Sequence, residues 1–329
     1  MNKLLPILLA FLFCGQLHSQ DIHWTQFERA PLQLNPARTG DFYGTARLTA
    51  IARLQSNSIA NTGFFTYAFS VDAPIIKGLR ENDWVGVGLN FATDKAGTLE
   101  LGIKSQSFSG SYHYAVDKKA RTYLTLGVQI ESYGRKVGNS EAAEFRDGTK
   151  MSLNESPDFQ NATGYTAGLQ LATALNQRTK LRIGGKFGRI GRVNVGLGQN
   201  SRYRVPNRIS LHADLDIQTG PKTRFIPQLL YENYGTASVM VLQGRAKYLL
   251  DKEKKIDISG GLGYRFGDAL QVLFGLSWGD IDIGIGYDLP VSGQASEAVP
   301  LGGLELGISY IMKIFKEPQV DPVIFCPRF

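Results

Sequence analysis

The residues of this chain best suited to chemistry beyond simple charge are few. Four histidines and two cysteines occur in 329 residues. Cys14 and His18 fall in an apolar leader, which leaves His23, His113, His212 and Cys326. A metal site draws such donors from closely spaced positions, and these four are widely separated. His212, Asp214 and Asp216 alternate, so on a strand they share one face. Such a trio can serve as an acid–base cluster, and its simpler reading is a solvated polar row. Cys326 is left without an intrachain disulfide partner, as a free thiol or one that pairs with another chain. There is no G-x-S-x-G elbow. The glycine-rich run Gly260 to Gly267 sits in no βαβ pattern, which removes a phosphate-loop reading. Glycines there suit strands that crowd or bend. The expectation is a non-enzymatic protein with no catalytic, cofactor-binding or metal-binding residues and no cofactor.

Charge narrows the partners. The formal net charge is +7, with Lys and Arg spread along the chain. Nucleic-acid binders concentrate basic residues in a patch or stripe, so nucleic acid is not expected. A dispersed positive charge suits anionic lipid head groups instead.

The elements that must carry these residues read as strands. In Asp280 to Leu289, Ile281, Ile283, Ile285, Tyr287 and Leu289 fall on one face and Asp280, Asp282, Gly284, Gly286 and Asp288 on the other. That period of two belongs to a strand; a helix would mix the sets. Leu124, Leu126, Val128 and Ile130 alternate in the same way with Thr125, Gly127, Gln129 and Glu131. The trio Leu99, Leu101 and Ile103 alternates with Glu100, Gly102 and Lys104, and Leu304, Leu306, Ile308 and Tyr310 with Glu305, Gly307 and Ser309. The pattern predicts strands near 43–55, 62–73, 83–94, 98–115, 120–136, 163–175, 179–190, 205–218, 222–233, 236–250, 255–266, 268–279, 280–290 and 301–314. Each is long enough to cross a bilayer when tilted.

Roughly fourteen strands, an even number, suit a transmembrane antiparallel β-barrel. The connections 137–162, 191–204 and 291–300 are long and fall on one side; those on the other side are short, except a longish 74–82. Short periplasmic turns and longer extracellular loops are the asymmetry of outer-membrane barrels. Glu100, Lys104, Glu131, Arg182, Lys186, Asp214, Asp216, Asp257, Arg265, Asp282 and Asp288 are then assigned to the lumen. Their mixed signs favour a cross-linked, plugged scaffold over a charge-selective pore. Trp84, Tyr231, Tyr264, Trp278, Tyr287 and Tyr310, near strand ends, suit the interfacial girdles.

The chain divides into a signal peptide at 1–19, an N-terminal segment at 20–42, the barrel at 43–314 and a tail at 315–329. Lys3, then the apolar run Leu4 to Cys14, then small and polar residues to Ser19 and Gln20 make a cleavable leader. Bulky Phe13 before Cys14 disfavours the lipoprotein alternative. Residues 20–42 carry Pro31, Pro36 and Gly40 without sustained alternation and belong either in the lumen or in the periplasm. Pro318, Pro322 and Pro327 disfavour a further strand in the tail.

The two ends carry a resemblance. Gln26-Phe27, then Pro31-Leu32-Gln33-Leu34-Asn35-Pro36-Ala37 and Gly40, and the ending Cys326-Pro327-Arg328-Phe329, resemble the PorP/SprF family. Trp84 to Leu89 with Asp94 and Gly97 resembles its third strand and the following turn. Ala37-Arg38-Thr39 departs mildly from the Tyr-Ala-Gly usual after that Asn-Pro. The resemblance implies a Bacteroidetes protein integral to the outer membrane and associated with the type IX secretion system. It implies docking, anchoring or secretion of a large gliding adhesin or similar cargo through the cargo's C-terminal region. It also implies, for some members, a periplasmic peptidoglycan-binding partner, and it supplies no catalytic residues. A passive channel for small solutes is the alternative that the barrel alone supports.

Overall fold

The computed structural model describes residues 22–55, 64–80, 82–96, 101–117, 119, 121–136, 162–191, 205–235, 237–291 and 302–314. The leader, Cys326 and most of the long outer connections lie outside the described residues. Alternating apolar and polar residues build fourteen antiparallel strands. These are β1 (Ala46–Gln55), β2 (Phe64–Lys77), β3 (Trp84–Ala96), β4 (Leu101–Ala115), β5 (Thr122–Lys136), β6 (Ala162–Ala174) and β7 (Thr179–Ile190). There follow β8 (Arg208–Gln218), β9 (Thr223–Tyr234), β10 (Ala237–Asp251), β11 (Ile256–Arg265), β12 (Ala269–Trp278), β13 (Ile281–Pro290) and β14 (Gly303–Met312). Each pairs with its sequence neighbours, and β1 pairs with β14 from Ala46↔Met312 to Gln55↔Gly303. Closure leaves no open edge, the condition for a sheet to cross a bilayer.

The outward face is apolar. Leu124, Leu126, Val128 and Ile130 of β5 are 39%, 60%, 64% and 52% exposed, while Thr125 and Gln129 between them are buried. An apolar belt this continuous is incompatible with water and matches a hydrocarbon surround. Of the aromatics assigned to the girdles, Tyr264, Trp278 and Tyr310 are exposed on this outer face.

One end of the barrel has only short turns: 78–83, 116–121, 175–178, 219–222, 252–255 and 279–280. The longest connections, 137–161, 191–207 and 291–302, all lie at the other end. Both β1 and β14 meet the short-turn end, which is therefore the periplasmic one. The connection expected at 74–82 is shorter than the sequence suggested. A bulge between Pro74 and Ile76 lets β2 continue to Lys77, so the imino residue sits where the ladder is already interrupted.

On β4 the expected facing is reversed. Ile103 packs in the lumen beside Tyr133 and Ala162, and Lys104 is exposed outside. Below them Ser105, Ser107, Ser109 and Ser111 line the lumen, and Phe108 and Tyr112 face out. Ile103 and Lys104 lie at the outer tip of β4, and Leu99 lies outside the described residues. A strand of this length overshoots the bilayer, and hydropathy there no longer reports which face meets lipid. Glu100 lies outside the described residues.

Candidate functional site

The lumen is occupied by the chain's own N-terminal segment. Residues 22–41 carry a 3-10 turn (Phe27–Arg29), a single helical turn α1 (Pro31–Leu34) and a second 3-10 turn (Pro36–Arg38). Pro31 and Pro36 start their turns, where a missing N–H costs nothing. The segment touches strands all round the closed barrel, so it lies inside. Thr25, Gln26, Leu32, Asn35, Ala37 and Thr39 are each at most 1% exposed.

Two stretches of this plug are held differently. Thr25 to Arg29 is held largely by charge. The backbone N–H groups of Thr25 and Gln26 donate to the two carboxylate oxygens of Glu305, at 2.8 and 2.7 Å. The Thr25 hydroxyl donates to Asp288 at 2.7 Å and accepts from Arg53 at 2.8 Å. Arg53 in turn pairs with Asp288 at 2.6 Å, and Arg265 pairs with the same carboxylate at 3.0 Å. Glu28 pairs with Arg245, and Arg29 with Asp282. Burial pushes the Glu28 carboxyl up, but Arg245 and Arg29 outweigh it and hold it below the usual carboxylate range.

Asn35 to Thr39 is held mainly by shape and backbone. Asn35 Nδ2 donates to the carbonyls of Leu169 and Gly185 at 3.0 and 3.2 Å, while its Oδ1 accepts from Ala37 N at 2.9 Å. The Thr39 hydroxyl donates to Ser109 at 2.9 Å, and its carbonyl accepts from Ser111 at 2.6 Å. Glycines make the room. A methyl at Gly127 would strike the backbone of Pro36 and Ala37, and one at Gly168 would strike the Asn35 side chain. At Gly86 it would strike the Thr39 carbonyl. Arg38 anchors this stretch to Asp214 at 2.6 Å.

The histidines become legible here. His212 lies 3.2 Å from Asn35 Nδ2 and 3.3 Å from the Arg38 guanidinium. It is only 3% exposed, so with Asp214 it forms a dock for the plug rather than a solvated row. Asp216 stays apart, paired with Arg224. His113 contacts the Thr39 carbonyl at 2.8 Å and stacks on Trp84 at 4.3 Å. Trp84 donates its indole N–H to the Gly40 carbonyl at 2.9 Å. It therefore closes the periplasmic mouth over the plug and does not join the lipid girdle. Among the described residues no cluster of His, Cys, Asp and Glu could hold a metal.

Above the plug, toward the long loops, the lumen keeps a cavity of about 320 Å³. Its wall includes His23, Gln33, Gln129, Glu131, Lys186 and Arg208. Arg189, at φ 60°, turns its guanidinium over the Tyr133 ring; that backbone region is uncommon for a residue with a side chain. The sequence reading missed Asn35, Thr39 and the glycines as lumen contacts. The signal was present in the Leu-Asn-Pro-Ala stretch and in the glycine content.

The chain matches the family model "Type IX secretion system membrane protein PorP/SprF" over residues 16–310. No curated protein matches it. Solved structures of similar fold include the toluene transporter TbuX of Ralstonia pickettii, at 12% identity and TM-score 0.54, covering 87% of this chain and 94% of that one. A deletion mutant of the monoaromatic hydrocarbon channel TodX aligns at 12% identity and TM-score 0.57 with the same coverage. The P. putida toluene transporter TodX aligns at 10% identity and TM-score 0.50, covering 86% and 93%. At these identities the likeness is one of fold.

Proposed function

This chain belongs to the PorP/SprF family and is a non-enzymatic barrel of the outer membrane, and we propose that it docks a type IX cargo protein at the cell surface. The observation that carries this reading is the division of the lumen. Its periplasmic half is filled by residues 22–41, while a cavity of about 320 Å³ remains toward the outer loops, its wall mixing apolar side chains with charges of both signs. A filled lumen does not suit a passive solute channel. A cup closed below and walled by both signs of charge suits the C-terminal end of a large surface adhesin or similar cargo. The periplasmic face is left for a cell-wall-linked partner of the peptidoglycan-binding kind.

A photo-crosslinking residue placed at Gln129 in the cavity wall tests this in native membranes. The expected product is a high-mass adduct with a secreted surface protein; repeated recovery of the barrel alone would count against docking. Planar-bilayer recordings test the rival channel. The plugged barrel is expected to be silent, and a large steady current from the unmodified protein would favour the channel reading.

A further inference from the structure

Five of the six periplasmic turns share a feature that the plug and cavity do not use. Arg80 lies in the β2–β3 turn, Lys119 and Arg121 in the β4–β5 turn, and Arg178 in the β6–β7 turn. Lys222 lies in the β8–β9 turn, and Lys252, Lys254 and Lys255 in the β10–β11 turn. All are exposed. Several nearby carboxylates are turned onto backbone. Asp117 accepts from the N–H groups of Arg121 and Thr122, and Asp251 from those of Glu253 and Lys254. Asp83 accepts from Ala115 N and from the Tyr112 hydroxyl. The short turns at the opposite end differ: Gly235, Phe266, Gly267 and Asp268 include no basic residue.

A second observation accompanies the charge. Beside the basic residues stand exposed apolar ones: Leu79 at 63%, Val116 at 52%, Leu175 at 56% and Leu250 at 50%. An apolar side chain next to a Lys or Arg is the arrangement of a headgroup boundary, where the stem lies in hydrocarbon and the cation reaches out.

We propose that this rim is a binding collar for anionic phospholipid head groups of the inner leaflet. The phosphodiester is the partner group, held by lysine and arginine donors. The ring form favours lipid over a protein partner. Basic residues recur at five of the six turns around the barrel, as a lipid annulus requires, whereas a docked protein would cover one arc. The collar fixes the depth of the barrel and draws anionic lipid to its periplasmic edge.

The test uses the purified full-length barrel in nanodiscs of equal phosphatidylglycerol and phosphatidylcholine, with the retained lipids measured after mild detergent extraction. The wild type is expected to retain phosphatidylglycerol roughly fivefold over phosphatidylcholine, the scale of a single basic residue near an anionic surface. The variant Arg178→Gln/Lys222→Gln/Lys252→Gln/Lys254→Gln/Lys255→Gln is expected to lose most of that enrichment, and the matching Lys→Arg changes at the four lysines to keep it. Heat-modifiable migration on gels verifies that each variant is folded. Should the five-fold variant fail to fold, Arg178→Gln/Lys222→Gln alone and a salt titration of the wild type carry the test, because raising salt to about 1 M shortens the screening length to about 3 Å. Equal retention of both lipids by the wild type, or enrichment untouched by both neutralisation and salt, overturns the proposal. Recovery of an acidic protein with lipids at parity overturns it as well.

Discussion

The two stretches of the plug meet the barrel on different terms. Thr25 to Arg29 lies against β1, β10, β13 and β14 through buried carboxylates and guanidinium groups. Asn35 to Thr39 lies against β3 to β8 through backbone carbonyls, serines and missing side chains. The first grip depends on protonation and on every charge keeping its partner. The second depends on volume. A segment gripped both ways loosens in parts, one stretch answering to charge and the other to volume.

Removing one charge should break the first grip hardest. Arg53→Gln leaves Asp288 and Glu305 short of a cation, and stranding a buried charge costs about 3–5 kcal/mol. The thermal midpoint of the barrel is expected to fall, with Trp24 fluorescence shifting to the red as its stretch loosens. A wedge should break the second. Gly168→Val drives a side chain into Asn35, and overpacking costs about 1–3 kcal/mol; the expected readout is a steady bilayer current where the unmodified barrel is silent. Asn35→Ala sharpens the contrast with a smaller loss. It removes the cap on Ala37 N and two donors to strand carbonyls, about 1–2 kcal/mol, seen as protease cleavage at Arg38.

Acid should then separate the stretches. The Glu28 carboxyl titrates below its ordinary value of 4.5. Its contribution is fully present above that value and is lost as pH falls through the lowered one. Trp24 fluorescence is expected to report loosening there before Arg38 becomes open to protease, since residues 35–39 are held mainly by backbone carbonyls and serines, with the Arg38–Asp214 pair as their carboxylate contact. The smallest effect is expected in the open cavity. Glu131→Gln should leave stability within about 0.5 kcal/mol by thermal melt and alter only partner capture.

The difference between the stretches also explains what could be read from the chain. The strands were legible because a period of two survives wherever one face meets lipid, and it misled on β4, at the tip beyond the bilayer. The charge-held stretch was legible in part: Asp282, Asp288 and Arg265 stood out as inward charges of mixed sign. The shape-held stretch was not. Asn35 finds its carbonyls 134 and 150 residues away, and the glycines that admit it carry no chemistry of their own. Turns of three or four residues are too short to show a helical period. Trp84 looked like a girdle residue because its indole suits a membrane interface as well as it suits a lid.

The bond from Thr25 to Glu305 spans 280 residues, and that span sets an order on assembly. Glu305 lies on β14, the last strand, which pairs with β1, the first. The charge grip on the plug is incomplete until the final strand arrives, and contacts this distant form slowly. Zipping the β1–β14 seam and capturing the segment inside it are thus a single late event, and the barrel finishes folding around a guest that is its own beginning.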